Sequence, residues 1–266
     1  MMRLKLAVPT AVFGGSIRRS IQSAAALQPD GLQFDLRSEI SSDEFGETAC
    51  RQFRHLLAEY GVQAGDARYT TQGTLVEAAR LDARVSGIKQ AMELARRIGS
   101  PALEVRLGQV PEDANSRESE RLLDVLRDLM RHADRVGVML ALTTLGNTVA
   151  QMRSLLSTLG SGLVGVAFDP AGFVFAGESP EQALRGLNDC LASVQLRDGI
   201  RAADGAGVET AIGAGTIEWD RFLATVSDTA YQGWLTLRRS GGESPADDVS
   251  RGLRMIREVT MTGLRR

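Results

Sequence analysis

The chain has 266 residues, 43% hydrophobic and 24% charged, with a formal net charge of −2. That length fits two small domains or one α/β barrel of about 250 residues, and the charge leaves no general field for nucleic acid or an acidic membrane surface. No apolar run approaches the roughly 18 residues of a membrane span. The two cysteines, Cys50 and Cys190, lie far apart with no CxxC, as expected of buried free thiols in a cytoplasmic protein.

Strand-like and helix-like segments then alternate along the chain. The opening MMRLKLAVPTAVFGG is mildly apolar, but Lys5 and Pro9 interrupt it. It reads as a first strand, Leu4–Val8, rather than a signal peptide. A helix over Ile17–Leu27 and a strand over Gly31–Leu36 follow. The next helix spans Ser42–Tyr60, with Asp43 and Glu44 where the dipole favours negative charge. Val62–Ala67 is a weak third strand, and a long helix covers Thr74–Ile98 until Gly99 stops it. Ala102–Leu107 is the fourth strand. Ser116 opens SRES, a capping-box pattern in which Ser119 is a poorer fourth member than Glu. The helix behind it puts Leu122, Leu126, Leu129, Met130, Ala133 and Val136 on one face. Val138–Thr143 is the fifth strand, with a helix over Thr148–Leu159, and Val164–Phe168 is the sixth. Ser179 caps a short helix with Pro180 at its first position, ending at Leu187. Leu191–Leu196 is the seventh strand, and a long Gly- and Ala-rich loop covers Asp198–Gly215. A helix over Trp219–Val226, an eighth strand over Gly233–Leu237 and a helix over Asp247–Val259 complete the series. Eight such units imply a parallel sheet with right-handed crossovers. With no linker in 1–266, they fit a single (β/α)8 barrel.

Alternation along each strand selects the residues that face the barrel axis. In VGVAFDPAG the bulky Val164, Val166 and Phe168 belong against helices, which turns Gly165, Ala167 and Asp169 inward. The same parity points Gln33, Asp35 and Arg37 inward on strand two. It gives Met139, Ala141 and Thr143 on strand five, and Ser193, Gln195 and Arg197 on strand seven. Strand eight gives Trp234, Thr236 and Arg238, and the polar set of strand four is Glu104 and Arg106. Barrel enzymes place their chemistry at the C-terminal rim, where an ionised Asp169 needs a metal, a catalytic partner or another side chain.

At this level the chain resembles the xylose-isomerase-like TIM barrels, which include sugar and sugar-phosphate isomerases and epimerases. The resemblance runs from about Gly31 to Val259. It is carried by GLQFDL, AMELARRIGSPALEVRLGQVPED, GVMLAL, VAFDPAG, SVQLRD and IGAGTIEWDRFLATVSDTAYQGWLTL, in that order. It implies a divalent ion held at strand ends by two Glu, one Asp and one His, which stabilises an enediolate while carboxylates move the proton. Position by position, the strand-five Glu falls on Thr143 and the strand-six Asp on Asp169. The strand-seven His falls on Gln195, the strand-eight Glu on Arg238, a further His on Gly172, and a common strand-two Glu on Gln33. One ligand of the four remains, so no metal and no other cofactor is expected. The two histidines, His55 and His132, belong to outer helices.

Asp169 is therefore expected to pair with Arg238, the guanidinium reaching into the space of the ion. Arg106, Thr143, Gln195, Arg197 and Arg238 are candidate ligand-binding residues, and Asp169, Asp35 and Glu104 candidate catalytic ones. Asp198 is a further partner or base, while Arg37 and Arg68 read as solvent-facing strand ends. Two functions follow from the resemblance. One is a sugar phosphate isomerase or epimerase of carbohydrate metabolism that works without metal, with arginines stabilising the oxyanion. The other is a non-catalytic barrel that binds a sugar-derived or anionic small molecule or a partner protein. An oligomer is compatible with either.

Overall fold

A computed structural model describes residues 4–43 and 45–263. Among them nine parallel strands form one sheet, in the order β3-β2-β1-β11-β8-β7-β6-β5-β4, and two more form a separate antiparallel hairpin. The sheet strands are β1 (Lys5–Pro9), β2 (Gly31–Gln33), β3 (Gln63–Ala64), β4 (Ala67–Tyr69), β5 (Ala102–Val105), β6 (Met139–Thr143), β7 (Val164–Phe168), β8 (Leu191–Leu196) and β11 (Trp234–Leu237). The hairpin is β9 (Asp198–Arg201) and β10 (Gly207–Thr210).

The sheet's first and last members, β3 and β4, are consecutive pieces of one strand broken at Gly65 and Asp66. Both pieces bond to the second strand and its continuation. The Gly65 N–H donates to the Leu32 carbonyl at 2.8 Å, the Arg68 N–H to Phe34 at 2.9 Å, and the Leu36 N–H to the Arg68 carbonyl at 2.8 Å. Asp35 and Arg68 form a parallel bridge. The sheet thus closes on itself as an eight-stranded barrel, as the alternating sequence predicts. Gly65 sits at the break because a Cβ there would lie 3.2 Å from both the Ala7 Cβ and the Leu32 carbonyl.

Helices coat the outside: α1 (Ile17–Ala25), α2 (Glu47–Glu59), α3 (Leu81–Ile98), α4 (Arg117–Val136), α5 (Val149–Leu159), α6 (Pro170–Ala176), α7 (Pro180–Gly186), α8 (Trp219–Ser227) and α9 (Pro245–Gly263). On β7 the outward set falls as the alternation requires, whereas Arg37 and Arg106, given inward by the same rule, are exposed. Phe168 stacks on Phe173 of α6 at 5.0 Å and on Phe222 of α8 at 6.0 Å, while Val166 is buried in the outer core. Ser116 caps α4 by accepting from the Ser119 N–H, and Ser179 caps α7 by accepting from Gln182.

Three expectations are corrected. Helix α3 begins at Leu81 rather than Thr74, because the carbonyls of the preceding turn point elsewhere. The buried Arg84 guanidinium donates to the carbonyls of Gln72, Thr74, Glu77 and Ala79 at 2.6–3.3 Å. Arg80 takes a left-handed conformation, φ 54°. Asp43 precedes α2, which starts at Glu47, and Glu44 lies outside the described residues. The Asp198–Gly215 stretch is largely the β9–β10 hairpin rather than a plain loop.

The N-terminal end of the barrel is filled by Trp234, 4% exposed, with the Lys5 ammonium 5.7 Å from its ring. A Cβ on Gly31 would lie 2.7 Å from that ring and 3.1 Å from the Gln63 carbonyl. Gly31→Ala should therefore lower stability by about 1–3 kcal/mol through overpacking, read by chemical denaturation.

Candidate active site at the C-terminal rim

Asp169 follows the last residue of β7, and Arg197 the last residue of the adjacent β8. The two side chains meet edge to edge. Arg197 Nε donates to Asp169 Oδ1 at 3.0 Å, and Nη2 lies 2.6 Å from Oδ2. The two side chains are only 8% and 6% exposed. The Nε contact is a charge-assisted hydrogen bond and the Nη2 contact a close ion pair outside hydrogen-bond geometry, so the guanidinium edge engages both carboxylate oxygens. Asp169 is therefore paired with Arg197, and the expected Asp169–Arg238 pair does not form. Adjacent strands lie about 4.8 Å apart, whereas β11 is one strand further away.

Arg197 is held on its other sides too. Its guanidinium lies 5.2 Å from the Phe175 ring of α6, and Nη1 is 3.7 Å from Glu209 of β10. Phe175 reaches this position because the hairpin has glycines beneath it. A Cβ on Gly199 would be 2.4 Å, and one on Gly207 2.3 Å, from Phe175 atoms. Glu209 also approaches Arg239 at 3.6 Å and accepts from the Ser240 N–H at 2.7 Å, which straps the hairpin to the segment after β11. Arg239 continues the chain of charges to Asp248 at 2.8 Å.

Asp198 has a structural role. It is fully buried, and its carboxylate accepts from the N–H groups of Gly199, Gly213 and Gly215 and from Trp219 Nε1, at 2.8–3.2 Å. Those four donors, three of them on Oδ2, tie the hairpin to the start of α8. Asp35 is spent in part on a turn, its Oδ1 accepting from the N–H groups of Arg37 and Ser38. Arg37 itself is exposed and donates to the Thr70 carbonyl at 3.0 Å.

Glu104 on β5 points inward and is 1% exposed. Its Oε1 accepts from Arg238 Nη1 at 3.0 Å, and its Oε2 has no hydrogen-bond partner. The two residues come from strands separated by β6, β7 and β8, so the arginine reaches across the barrel mouth. Burial opposes the charge on Arg238, but Glu104, Asp169 and Glu209 outweigh it and hold its pKa above the ordinary arginine value.

Arg68 is the inward residue that alternation should have revealed. It shares β4 with Tyr69, whose hydroxyl packs against Gly87 of α3, so Arg68 takes the opposite face. Ending the third strand at Ala67 concealed this parity and led to the solvent-facing reading. Burial first, and then the charge of Arg238, push the Arg68 pKa down, against the pull of Glu104 and Asp35.

The remaining candidates are dispersed. Thr143 is half-buried and accepts from the Leu107 N–H at 3.2 Å. Gln195 is 1% exposed with both amide atoms unpartnered, as are Gln33 Nε2, Ser193 Oγ and Thr236 Oγ1 in the interior. Arg106 is exposed and, among the described residues, makes no side-chain hydrogen bond or ion pair. His55 and His132 lie on α2 and α4, facing Glu59 and Glu93 at 3.5 Å.

A model of the xylose isomerase-like TIM barrel family matches residues 21–259. The chain belongs to that family. A xylose isomerase domain protein from Planctomyces limnophilus is similar over 99% of this chain and 98% of its own, at 20% identity and a TM-score of 0.85. The 3-keto-D-glucoside 4-epimerase of E. coli, in its apo form, is similar over 96% and 100%, at 18% identity and a TM-score of 0.76. A family member from Mycobacterium smegmatis in complex with magnesium is similar over 98% of both chains, at 14% identity and a TM-score of 0.78. At these identities the likeness shows the fold. Comparison with curated protein sequences finds no match.

The residues that the resemblance sets at metal positions have side chains that do not suit a divalent ion. Thr143 offers a hydroxyl, Gln195 an amide, Arg238 a cation, and Asp169 a carboxylate already engaged by Arg197. Gly172, at the further histidine position, has its backbone beside Asp169, and a Cβ there would be 3.8 Å from the carboxylate. Among the described residues no group of three or more His, Cys, Asp or Glu is arranged to hold a metal. Hard cations need several oxygen ligands, and transition metals also favour imidazole. None of the described helices is long and apolar enough to cross a membrane.

Two measurements check this electrostatic arrangement. Asp169→Ala and Arg197→Ala should each cost about 3–5 kcal/mol, with the double variant well short of their sum. Asp169→Ala combined with Arg238→Ala should come much closer to additivity in a denaturation cycle. Asp66, 1% exposed with Oδ2 unpartnered, has its pKa pushed well above the ordinary 3.8 by burial and then by the charge of Glu104. A carboxyl raised in the folded state costs nothing below its unfolded value, and costs progressively more as pH rises toward its folded value. Stability followed from acid to neutral pH should therefore carry a downward contribution that Asp66→Asn removes.

Proposed function

We propose that this chain is a barrel of sugar isomerase or epimerase type that works without a divalent ion. In this reading its mouth takes a small sugar-derived ligand, and proton transfer next to the ligand's carbonyl falls to Glu104. The observation that carries the reading is the pair of ion pairs, Asp169–Arg197 and Glu104–Arg238, which engage carboxylates that a divalent ion would need. Arg238 supplies positive charge within the mouth, which favours the negative charge of an enediolate. Glu104 keeps one oxygen anchored and the other unpartnered, which suits a positioned proton acceptor. The unpartnered amides of Gln195 and Gln33 and the hydroxyl of Thr236 suit sugar hydroxyls.

A second reading, ligand binding with no turnover, is favoured by the engagement of the other carboxylates. Asp169 is engaged by Arg197, and buried Asp198 accepts from four N–H donors. Exchange of substrate hydrogen with deuterated solvent, followed by NMR across sugars and sugar phosphates with chelator-treated protein, separates the two. We expect exchange that is unchanged by added Mg or Mn and lost in Glu104→Gln. Binding without exchange would favour the second reading. Activity that appears only with added metal, and vanishes in Asp169→Asn, would overturn both.

A further inference from the structure

We propose that Arg68 and Arg238 together receive an oxyanion, a carboxylate or a phosphate, carried by the ligand of the barrel mouth. The inference rests on the reading of that mouth as a sugar site and deepens it by assigning the ligand's charge. Three guanidinium groups reach the rim from inward positions, and they differ in what they already hold. Arg197 is consumed by Asp169, Phe175 and Glu209. Arg238 uses Nη1 on Glu104 and keeps a buried Nε without a partner. Arg68, half-buried, has no hydrogen bond or ion pair from its guanidinium among the described residues.

The placement of Arg68 follows from the backbone. It is in register with Glu104 on β5 and bridged to Asp35 beyond β2. In-register residues of neighbouring parallel strands share a face, so Arg68 stands beside the carboxylate that Arg238 grips from across the barrel. Arg68 therefore stands on the strand beside Glu104 without pairing to it, and Arg238, which holds Glu104, is close enough for its charge to oppose that of Arg68. The like charges and burial outweigh the help of Glu104 and Asp35, so the Arg68 cation is under-compensated where it stands. An anion at the unpartnered Arg68 guanidinium and the free Nε edge of Arg238 would relieve the repulsion. It would also use the bidentate geometry that makes arginine the residue of choice for carboxylate and phosphate.

The arrangement makes a distinctive stability forecast. A guanidinium with no partner and a like-charged neighbour contributes little to folding. Arg68→Gln should leave the melting temperature unchanged or raised, whereas Arg197→Ala lowers it.

The binding test uses D-glucose, D-gluconate, D-glucose 6-phosphate and inorganic phosphate as probes, titrated into wild-type protein, Arg68→Gln, Arg68→Lys and the surface control Arg37→Gln. Calorimetry or ligand-observed NMR gives the affinities. We expect gluconate or glucose 6-phosphate to bind about ten- to a hundredfold more tightly than glucose, as hydrogen bonds to charged groups allow. Whichever of the two is preferred identifies the anion as carboxylate or phosphate. Arg68→Gln should bring the anion to within about twofold of glucose, Arg68→Lys should recover part of the preference as a point charge without the fork, and Arg37→Gln should match wild type. Glucose binding as tightly as its anionic relatives would overturn the inference and leave the sugar reading standing. Inorganic phosphate binding through Arg68, with no sugar derivative adding affinity, would support the anion pair and sink the sugar reading. An anion preference untouched by Arg68→Gln, or no binding of any probe, would overturn the inference.

Discussion

The rim of this barrel depends on one ion pair, the close contact between Asp169 and Arg197. It joins the ends of neighbouring strands β7 and β8 and presents the guanidinium face to Phe175. Phe175 in turn occupies the space that Gly199 and Gly207 leave open, so the hairpin packs against α6. Glu209 then carries the network from Arg197 to Arg239 and the segment before α9. A buried pair of this kind is weak as a source of net stability, because desolvating two charges offsets most of their attraction. Its effect is on geometry. Either partner left alone would be a buried uncompensated charge, so the elements that carry them are held in one arrangement.

The same contact settles what Asp169 can do. A carboxylate with both oxygens on a guanidinium is a poor ligand for a cation and a poor base. The mouth carries arginines from β4 and from the ends of β8 and β11. They are not equivalent. The structure brings three arginines of one chemical type to the mouth and divides them by their neighbours. One closes the hairpin, one holds Glu104, and one is left without a partner. Asp198 shows the same principle in reverse, since a carboxylate next to the rim becomes a hub for four N–H donors and is lost to chemistry.

Family membership places this site at the C-terminal ends of the strands but does not assign it a reaction, because related barrels carry different chemistries on one scaffold. Here the donor set argues for an unusual member. Interior polar groups such as Gln195, Ser193 and Thr236 are buried without partners. Polar groups of that kind are costly unless water or a ligand satisfies them. They mark the barrel interior as a place built to hold something polar rather than as a dry core.

The order of the elements, the outward set of β7 and most helix caps were legible in the sequence, since each follows from local rules. Val164–Phe168 and Leu191–Leu196 have the bounds that alternation assigns, and Ser116 and Ser179 cap the helices they precede. Local rules failed where a distant group intervened. Arg84 draws four carbonyls out of the expected start of α3, and the break at Gly65 and Asp66 hides that Arg68 belongs to a strand. The alternation of Ala67, Arg68 and Tyr69 held that signal, but three residues are too few to set a parity without neighbours. Periodicity and residue type, which are local properties, suffice for a closed eight-unit barrel with a charged mouth. Only the tertiary structure decided that Asp169 meets Arg197 and that Arg238 meets Glu104. Partner choice depends on distances across the closed barrel, where adjacent strands bring one arginine within reach and curvature brings another from the far side.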